Sequence, residues 1–391
     1  MATEQPVGAQ RVRGVGVSVF AEMTALANAH GAVNLGQGFP DFEPPAFLTE
    51  AAEAALRAGY NQYAPARGLP QLREAVATDY ERRHGLAVDV EREVLVTHGA
   101  TEAIFAAILS LVDPGDEVIL FEPYYDSYLP AVQMAGGVAR FYTLQPPDWA
   151  IDEAALAALF NQRTRLILVN TPHNPTGKCF SAGELALIAE LCGRYDVLAV
   201  VDEVYEHLTY EGSAHRPLLA EPGMRQRTVA ISSLGKSFSA TGWKVGWAIG
   251  ASPLVEALLR SHQFIIFCAN APLQAAAATA LAHAAGSDYY GWLRDFYSDK
   301  RDFLLQGLRG AGIDPIPPQG TYFIMADISG AGLGDDVAFC RYLTTEVGVA
   351  AIPPSAFYST PGGGEQLARF AFCKSDEALA EAARRLQRLF A

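Results

Sequence analysis

Six short apolar runs between residues 94 and 250 constrain the fold of this chain more than any other feature of its sequence. Segments with helical character separate them, and turn residues such as Pro114-Gly115 mark where one element gives way to the next. The runs are VLVTHG (94–99), EVILF (117–121), RLILVN (165–170), VLAVVDEVY (197–205), TVAISS (228–233) and KVGWAIG (244–250). Near-continuous Val, Ile and Leu are typical of strands that helices cover on both faces. The pattern therefore predicts an α/β fold with a mostly parallel sheet.

The residues after about 285 have a different sequence pattern, which predicts a mixture of helices and short strands. Helices are predicted over 292–309, near 336–346 and at the end of the chain, with TYFIMADI, VAAIP and LARFAF as apolar strands. This order is typical of a smaller α+β domain. A chain of 391 residues also exceeds the usual size of one compact core. We therefore predict a large domain at 41–285 and a small domain formed by 1–40 and 286–391.

Composition and charge argue against several classes of protein. The formal net charge of −14 disfavours a nucleic-acid partner, because phosphate backbones are bound by clustered Lys and Arg. No apolar stretch approaches ~18 residues without a charge, so we expect no membrane span. The opening residues MATEQPVGAQRVRG lack the apolar core of a signal peptide, which favours a cytoplasmic location. The five cysteines lack the paired spacing of a zinc site or disulfide framework, so we expect free thiols and no metal.

A lysine in a loop of small residues, Lys236 in SSLGKSFSATGWKVGW (232–247), carries the densest chemical signal. A lysine that forms an imine needs a crowded, apolar setting that keeps its amine partly neutral. Ser233 and Lys244 lie on either side of it and offer a hydroxyl and a cation to a phosphate. A nucleotide phosphate loop is excluded, because Ala230 stands where that motif requires a glycine. The remaining alternative for Lys236 is an ordinary surface loop.

An acidic residue, Asp202 in VVDEVY, ends another of the apolar runs. A carboxylate there is costly unless it meets a cation, and a protonated pyridine nitrogen is such a cation. Tyr205, three residues further on, is placed to reach a phenolic oxygen of the same ring. The alternative for an isolated motif of this kind is that Asp202 caps a neighbouring helix.

Two further motifs place polar groups at the carboxyl edge of the predicted sheet, where α/β folds bind ligands. In NTPHNPTGK (170–178), two prolines and a glycine force a tight turn that fixes Asn174 directly after a strand. In HGATEA (98–103), a strand meets a helix, and the free backbone N–H groups of Ala100 and Thr101 suit a phosphate. Each motif taken alone is also compatible with an ordinary turn or junction.

An arginine, Arg369, lies within the apolar strand LARFAF. An unpaired guanidinium is expensive in such a setting, and a substrate carboxylate bound through two hydrogen bonds is a suitable partner. An internal Asp or Glu is the alternative partner. The segment NLGQGFPDF (34–42) resembles part of a dinucleotide-binding motif, but Asp41 replaces its last glycine and no clear strand precedes it.

Taken in order, these motifs resemble the fold-type I, class I/II aminotransferases over essentially the whole chain. The matching segments are NLGQGFPDF, NQYAP, EPYYDSY, NTPHNPTGK, VVDEVYEHL, SLGKSFSATGWKVGW and RFAF. More narrowly, the sequence is similar to the branch of kynurenine aminotransferases, glutamine transaminase K and bacterial methionine aminotransferases, and Lys244 supports that branch. The resemblance implies a seven-stranded sheet, the cofactor pyridoxal 5′-phosphate (PLP), and a homodimer with shared active sites.

The resemblance also implies a role for each matching residue. The catalytic residues would be Lys236, which forms the Schiff base and moves the proton, with Asp202 on the pyridine nitrogen and Tyr205 on the ring oxygen. The other cofactor-binding residues would be Gly99, Ala100, Thr101, Ser233 and Lys244 around the phosphate, Tyr63 reaching it from the other subunit, Tyr125 on the ring face, and Asn174. The substrate would meet Gly36, Asn174, Arg369, Phe20 and, across the dimer, Phe267.

The predicted pocket residues Phe20, Tyr125 and Phe267 are uncharged, which favours neutral or aromatic amino acids such as methionine, glutamine and phenylalanine. Ser18 stands where kynurenine-handling relatives carry Trp, which disfavours kynurenine as the main substrate. The expected reaction is a ping-pong transfer of the α-amino group to a 2-oxo acid.

Other activities stay open at this point. A carbon–sulfur β-lyase would use the same carbanion, and an N-succinyldiaminopimelate aminotransferase is a further alternative. A transcription regulator with an aminotransferase-like domain is disfavoured, because the segment before NLGQG is too short for a helix-turn-helix domain.

Overall fold

The computed structural model describes residues 8–14, 16 and 18–389. Residues 1–7 of the predicted N-terminal segment lie outside this range. The helices in the described part are α1 (Val19–His30), α2 (Ala46–Arg57), α3 (Pro70–His84), α4 (Gly99–Leu111), α5 (Tyr128–Ala135), α6 (Glu153–Ala157), α7 (Ala182–Tyr195), α8 (Leu234–Ser237), α9 (Ser252–Ile265), α10 (Ala271–Ala285), α11 (Tyr289–Gly310), α12 (Asp336–Tyr342) and α13 (Asp376–Leu386). No helix of the described residues has both the length and the apolar character needed to cross a bilayer.

The strands form one large sheet and two small ones. They are β1 (Val33–Asn34), β2 (Val94–Thr97), β3 (Glu117–Glu122), β4 (Val138–Thr143), β5 (Thr164–Asn170), β6 (Leu198–Asp202), β7 (Thr228–Ser233), β8 (Gly246–Gly250), β9 (Asp314–Ile316), β10 (Phe323–Asp327), β11 (Val349–Ala350) and β12 (Leu367–Ala371). The large sheet has seven strands in the order β2-β8-β7-β6-β5-β3-β4. Only β8 runs antiparallel to its neighbours, which confirms the expected mostly parallel α/β sheet.

Helices cover both faces of the large sheet, as the apolar runs predicted. On one face, Leu95, Val118 and Leu168 pack in a core with residues of α4, α5 and α9. On the other face, Ile119 and Ile167 pack with residues of α7 and its neighbours. Burial on both faces explains why these strands read as continuous apolar sequence.

Several element boundaries differ from the sequence prediction. The edge strand β4 was not identified, because its pattern alternates between exposed and partly buried residues instead of forming an apolar run. The strand predicted at 197–205 ends at Asp202, and the one predicted at 244–250 begins at Gly246. Asp202 and Lys244 therefore both lie at strand ends, where their side chains can face a ligand.

The C-terminal half contains the smaller sheets. Strands β12, β10 and β9 form an antiparallel sheet, and β1 pairs in parallel with β11, which ties the N-terminal segment to the C-terminal region. The helix predicted near 336–346 is α12 followed by a π-helical segment, Leu343–Val347. The division of the chain into domains at residues 41 and 285 stays a prediction.

The first residues of helices α7 and α4 show why each helix begins where it does. Ser181 and Glu184 form a capping box at the start of α7, the Ser-x-x-Glu spacing that is typical of a helix start. Helix α4 begins at Gly99, whose φ is +74°. A Cβ on Gly246 would lie 2.7 Å from the carbonyl carbon of Gly99, so glycine is required where β8 passes under this helix start.

Candidate active site

A cleft opens at the carboxyl ends of β5, β6 and β7. In the parallel register Asn170 lies beside Asp202, and Asp202 lies beside Ile231, so the three strands end at one edge. Twelve of the residues predicted from the sequence line this cleft: Phe20, Gly99, Ala100, Thr101, Tyr125, Asn174, Asp202, Tyr205, Ser233, Lys236, Lys244 and Arg369. Residues that are far apart in the chain are therefore brought to one site.

Asp202 is a buried carboxylate at the end of β6. Its Oδ2 accepts a hydrogen bond from the hydroxyl of Tyr128 at 2.7 Å, and its Oδ1 accepts one from the backbone N–H of Val204 at 3.2 Å. Burial raises the pKa of Asp202, and these two hydrogen bonds act in the opposite direction. No salt bridge to Asp202 occurs among the described residues, so the carboxylate lacks a full cationic partner.

Lys236 lies in the short helix α8, directly after β7. Its Nζ donates a hydrogen bond to the hydroxyl of Tyr322 at 2.9 Å and lies 5.6 Å from the ring centroid of Tyr205. Burial lowers the pKa of the amine to about 8. About a tenth of the amine is therefore neutral at pH 7, far more than for an ordinary lysine, and nucleophilic attack and proton abstraction both require this neutral form.

The start of α4 forms an anion-binding corner. The first backbone N–H groups of a helix lack intrahelical partners and carry a partial positive charge. The ammonium group of Lys244 lies beside this corner: a Cβ atom built on Gly99 would be only 3.4 Å from Nζ of Lys244. Ser233 ends the neighbouring β7. Together these groups suit a phosphate.

Arg369 is a fully buried cation in β12. Its Nη1 donates to Oδ1 of Asn174 at 3.1 Å and its Nη2 to the carbonyl of Gly36 at 2.7 Å, while Nε has no partner. The rings of Phe20 and Phe323 lie 5.0 and 4.2 Å from its guanidinium carbon. Burial lowers the pKa of Arg369 to about 10.

The alternative interpretation of Arg369, an internal ion pair, is wrong for the described residues, because no carboxylate forms a salt bridge with it. The carboxylate of Asp126 acts to raise the pKa of Arg369 through its charge, but its Oδ2 accepts a hydrogen bond from Ser18 and forms no salt bridge with Arg369. A carboxylate supplied by a ligand is therefore the partner that this guanidinium lacks.

Three predicted residues do not line the cleft. Gly36 contacts it only indirectly, through the hydrogen bond from Arg369 to its carbonyl oxygen. Tyr63 and Phe267 pack edge-to-face with ring centroids 5.0 Å apart, and they are 83% and 52% exposed. Large aromatic side chains with this exposure are typical of a surface that another chain covers.

Sequence reasoning missed several residues that complete the cleft. Tyr128 is the last residue of the motif EPYYDSY, and its role depends on α5 turning back toward β6. Tyr322, the second residue of TYFIMADI, lies next to the cleft: its hydroxyl accepts a hydrogen bond from Lys236 and donates one to the carbonyl of Gly38 at 2.6 Å. Gln37 and Phe323 also line the cleft. The only sequence signal for any of these residues is that Tyr128 lies in the motif EPYYDSY, which also contains Tyr125.

Comparison with known proteins decides the family, since residues 31–386 match the family model of aminotransferase class I and II. The chain is a class I/II aminotransferase. It is 43% identical to the methionine aminotransferase of Escherichia coli, with 96% of each chain covered. It is 45% identical to a probable N-succinyldiaminopimelate aminotransferase of Mycobacterium tuberculosis, with 96% of this chain and 97% of the relative covered.

Solved structures of such enzymes superimpose on nearly the whole molecule. The structure described as an E. coli methionine aminotransferase has a TM-score of 0.94 at 41% identity and covers 98% of this aminotransferase and 100% of its own chain. The M. tuberculosis N-succinyldiaminopimelate aminotransferase has a TM-score of 0.95 at 45% identity, with the same coverage. The enzyme is a PLP-dependent, fold-type I transaminase that acts on amino acids and 2-oxo acids.

The donor groups of the cleft fit PLP. The cofactor has a phosphate, a basic ring nitrogen and an aldehyde. The corner of α4 with Lys244 suits the phosphate, the buried Asp202 lacks the cation that a protonated ring nitrogen supplies, and the amine of Lys236 is partly neutral. These properties belong to the arrangement of the residues and not to any one motif.

Proposed function

We propose that this aminotransferase moves the α-amino group of a neutral or aromatic amino acid, of the methionine, glutamine or phenylalanine type, to a 2-oxo acid by a ping-pong mechanism. The observation that carries the proposal is that Arg369 is the only arginine lining the cleft of the described residues. One guanidinium accounts for the α-carboxylate and leaves none for a second carboxylate. The remaining walls near it are the rings of Phe20, Tyr125 and Phe323.

In this proposal Arg369 and Asn174 bind the α-carboxylate and orient the substrate, with Gly36 supporting the guanidinium. The amine of Lys236, which is the covalent attachment point of the cofactor at rest, then takes the α-proton and returns a proton on the cofactor side. Its lowered pKa favours both tasks. When bound, PLP supplies an electron-accepting ring, and Asp202 holds a proton on the ring nitrogen.

The other predicted residues position the cofactor. Asn174 and Tyr205 bind the ring oxygen, and Tyr125 stacks on the ring face. Burial raises the pKa of Tyr125 to about 12, so it stays a neutral ring at physiological pH. The phosphate is held by Gly99, Ala100, Thr101, Ser233 and Lys244.

We also propose a homodimer in which Tyr63 and Phe267 complete the active site of the partner subunit. Their exposure in the single chain supports this, because both are large aromatic residues outside the cleft that their predicted roles require them to reach. The cytoplasmic location stays a prediction.

A panel assay tests the substrate class. The purified holoenzyme is offered each of the twenty amino acids with several 2-oxo acids, and kcat/KM should be highest for uncharged donors. Lys236→Ala should abolish turnover, whereas Lys300→Ala, a buried lysine that pairs with Asp376 outside the cleft, should retain it. Highest activity with aspartate or glutamate would contradict the proposed class, and full activity in Lys236→Ala would contradict the mechanism.

A second candidate function has direct support from similarity. The M. tuberculosis relative described as a probable N-succinyldiaminopimelate aminotransferase is 45% identical to this chain. That substrate carries distal carboxylates, and the described cleft of one chain offers no cation beyond Lys236, Lys244 and Arg369, which the cofactor and the α-carboxylate already engage in this proposal. The same panel should include it, and preference for it over methionine would replace the first proposal.

A further inference from the structure

A group of metal-ligating side chains lies outside the lining of the cofactor cleft. It consists of His84, Glu206 and His215, called here the His84 cluster. One ring nitrogen of each histidine and one carboxylate oxygen of Glu206 lie within 4.8 Å of one another. The three residues come from different segments, namely the end of α3, the turn after β6 and the loop that follows it.

Polar atoms without hydrogen-bond partners surround the His84 cluster. Both ring nitrogens of His215 are buried and make no hydrogen bond. Its Nε2 lies 3.5 Å from Oε1 of Glu203, and that oxygen is also buried without a hydrogen bond. The hydroxyl of Tyr80 is also buried and has no hydrogen-bond partner. Buried polar atoms are rarely left unpaired, so several in one place indicate an absent partner.

The electrostatics of the His84 cluster favour a cation as that partner. Glu203 and Glu206 are both almost fully buried. Arg83 contacts Oε2 of Glu206 at 2.8 Å and Nε2 of His84 at 3.0 Å, which leaves Nδ1 of His84 as its free ring nitrogen for a ligand contact. Arg83 also pairs with Asp79 at 2.7 Å. Since Arg83 is shared between two carboxylates, Glu203 has no full cation of its own. A carboxylate oxygen also has two lone pairs, so Glu206 can bind Arg83 and a second cation together.

We propose that the His84 cluster is a binding site for a divalent transition-metal ion, with Zn²⁺ as the reference ion. Two imidazoles and one carboxylate are a common ligand set for Zn²⁺, and a water or Glu203 completes the coordination. The carboxylate of Glu203 beside His215 is also the kind of group that orients a metal-bound imidazole. The expectation of no metal rested on the spacing of the cysteines, whereas these three ligands lie in separate segments and share no motif.

A metal at this site would act on the structure and not on the chemistry of transamination. It would connect α3 to the turn that carries Tyr205, the neighbour of Glu206 in the chain. Glu206 also accepts a hydrogen bond at 2.5 Å from Ser232, which precedes Ser233 of the cleft. Occupancy should therefore stabilise the fold next to the cofactor while all cleft residues stay in place.

Equilibrium dialysis of the holoenzyme against Zn²⁺, followed by elemental analysis, tests the proposal. The enzyme is first treated with a chelator, and wild type should then bind one ion per chain. His84→Gln and His215→Gln should each weaken binding by about tenfold or more. His30→Gln, an exposed histidine at the end of α1, should bind as wild type does. His84 is only partly buried, so His84→Gln keeps the test valid if His215→Gln does not fold.

A second readout separates the site from adventitious binding. Zn²⁺ should raise the thermal midpoint of wild type and of His30→Gln, and raise it less in His84→Gln. Retained cofactor absorbance in each variant confirms that the fold is intact. Equal Zn²⁺ binding by wild type and His84→Gln, or no binding by wild type, would overturn the proposal and leave an ordered water as the partner of these atoms.

Discussion

The hydroxyl of Tyr128 donates a hydrogen bond to Oδ2 of Asp202 at 2.7 Å, and both side chains are buried. Tyr128 begins α5, whereas Asp202 ends β6, so packing of the helix on the sheet brings the pair together. The hydrogen bond favours the ionised form of Asp202, against the burial that raises its pKa. Tyr128 is therefore a positioning residue for the carboxylate that the cofactor nitrogen needs.

Replacing Tyr128 by Phe should lower kcat by about tenfold to a hundredfold, because a hydrogen bond to a charged group contributes ~1.5–3 kcal/mol. The pKa of Asp202 should rise further, so the acidic limb of the kcat–pH profile should move to higher pH. Steady-state kinetics across pH measures both effects. Tyr124→Phe is the matched control, since its hydroxyl contacts Ser359 and not Asp202. An unchanged pH profile in Tyr128→Phe would show that the hydrogen bond is only structural.

The buried guanidinium of Arg369 gives a second prediction. Arg369→Lys keeps the charge but loses the paired geometry that binds a carboxylate, so kcat/KM for amino acids should fall by a factor on the order of 10² or more. An amine that lacks the α-carboxylate should lose much less, so the ratio of the two kcat/KM values reports the contact. Arg301→Lys changes another buried arginine, one that pairs with Glu211, and should leave the ratio unchanged. An equal loss for both substrates would exclude Arg369 as the carboxylate-binding residue.

The amine of Lys236 should make the cofactor-free protein sensitive to pH. Burial lowers its pKa from 10.5 to about 8, so below pH 8 the folded state carries a poorly solvated charge. Between pH 8 and 10.5 the unfolded state binds more protons than the folded state, and stability should rise with pH. Lys236→Met removes this effect.

The variant should thus be more stable than wild type at pH 7, by at most about 3 kcal/mol, and the advantage should vanish as pH approaches 10.5. Urea unfolding of both cofactor-free proteins at several pH values measures the difference. A constant difference from pH 7 to 10.5 would show that the pKa of Lys236 is not lowered in the folded state.

The exposed pair Tyr63 and Phe267 gives a prediction about assembly. If Tyr63 acts in the partner's site, Tyr63→Ala and Lys236→Ala subunits should complement each other, because one site of each mixed dimer is intact. Random reassociation of equal amounts should restore about a quarter of wild-type activity, since half of the dimers are mixed and have one working site. Co-refolding followed by an activity assay measures the recovery. Mixing Lys236→Ala with Asp202→Ala is the matched control: both residues line the same chain's cleft, so each site of a mixed dimer lacks one of them and no activity should be recovered.

The fold was predictable where burial makes the sequence uniform. Strands β2, β3 and β5 to β8 are covered on both faces, so each reads as an apolar run, whereas β4 lies at an exposed edge and gives no such run. The capping box at Ser181 and Glu184 was predictable because it depends only on residues three positions apart.

The candidate site was predictable where a residue lies inside a local motif. Asp202 ends a strand, and Lys236 and Asn174 lie in the short segments that follow two other strands, so the strand pattern places all three at one edge of the sheet. Tyr322 and Tyr128 were missed, because their contacts with Lys236 and Asp202 depend on how separate elements pack. The positions of these residues in the sequence do not reveal that their side chains are close in the folded chain.

The sequence by itself determined the order of strands and helices, the residue types at the strand ends and the family to which they belong. Only the tertiary structure decided that Arg369 has no internal anion, that Tyr128 supports Asp202, and that His84, Glu206 and His215 meet. The physical reason is that periodicity and capping act over a few neighbouring residues, whereas desolvation and charge pairing depend on groups that the folded chain brings together from distant positions.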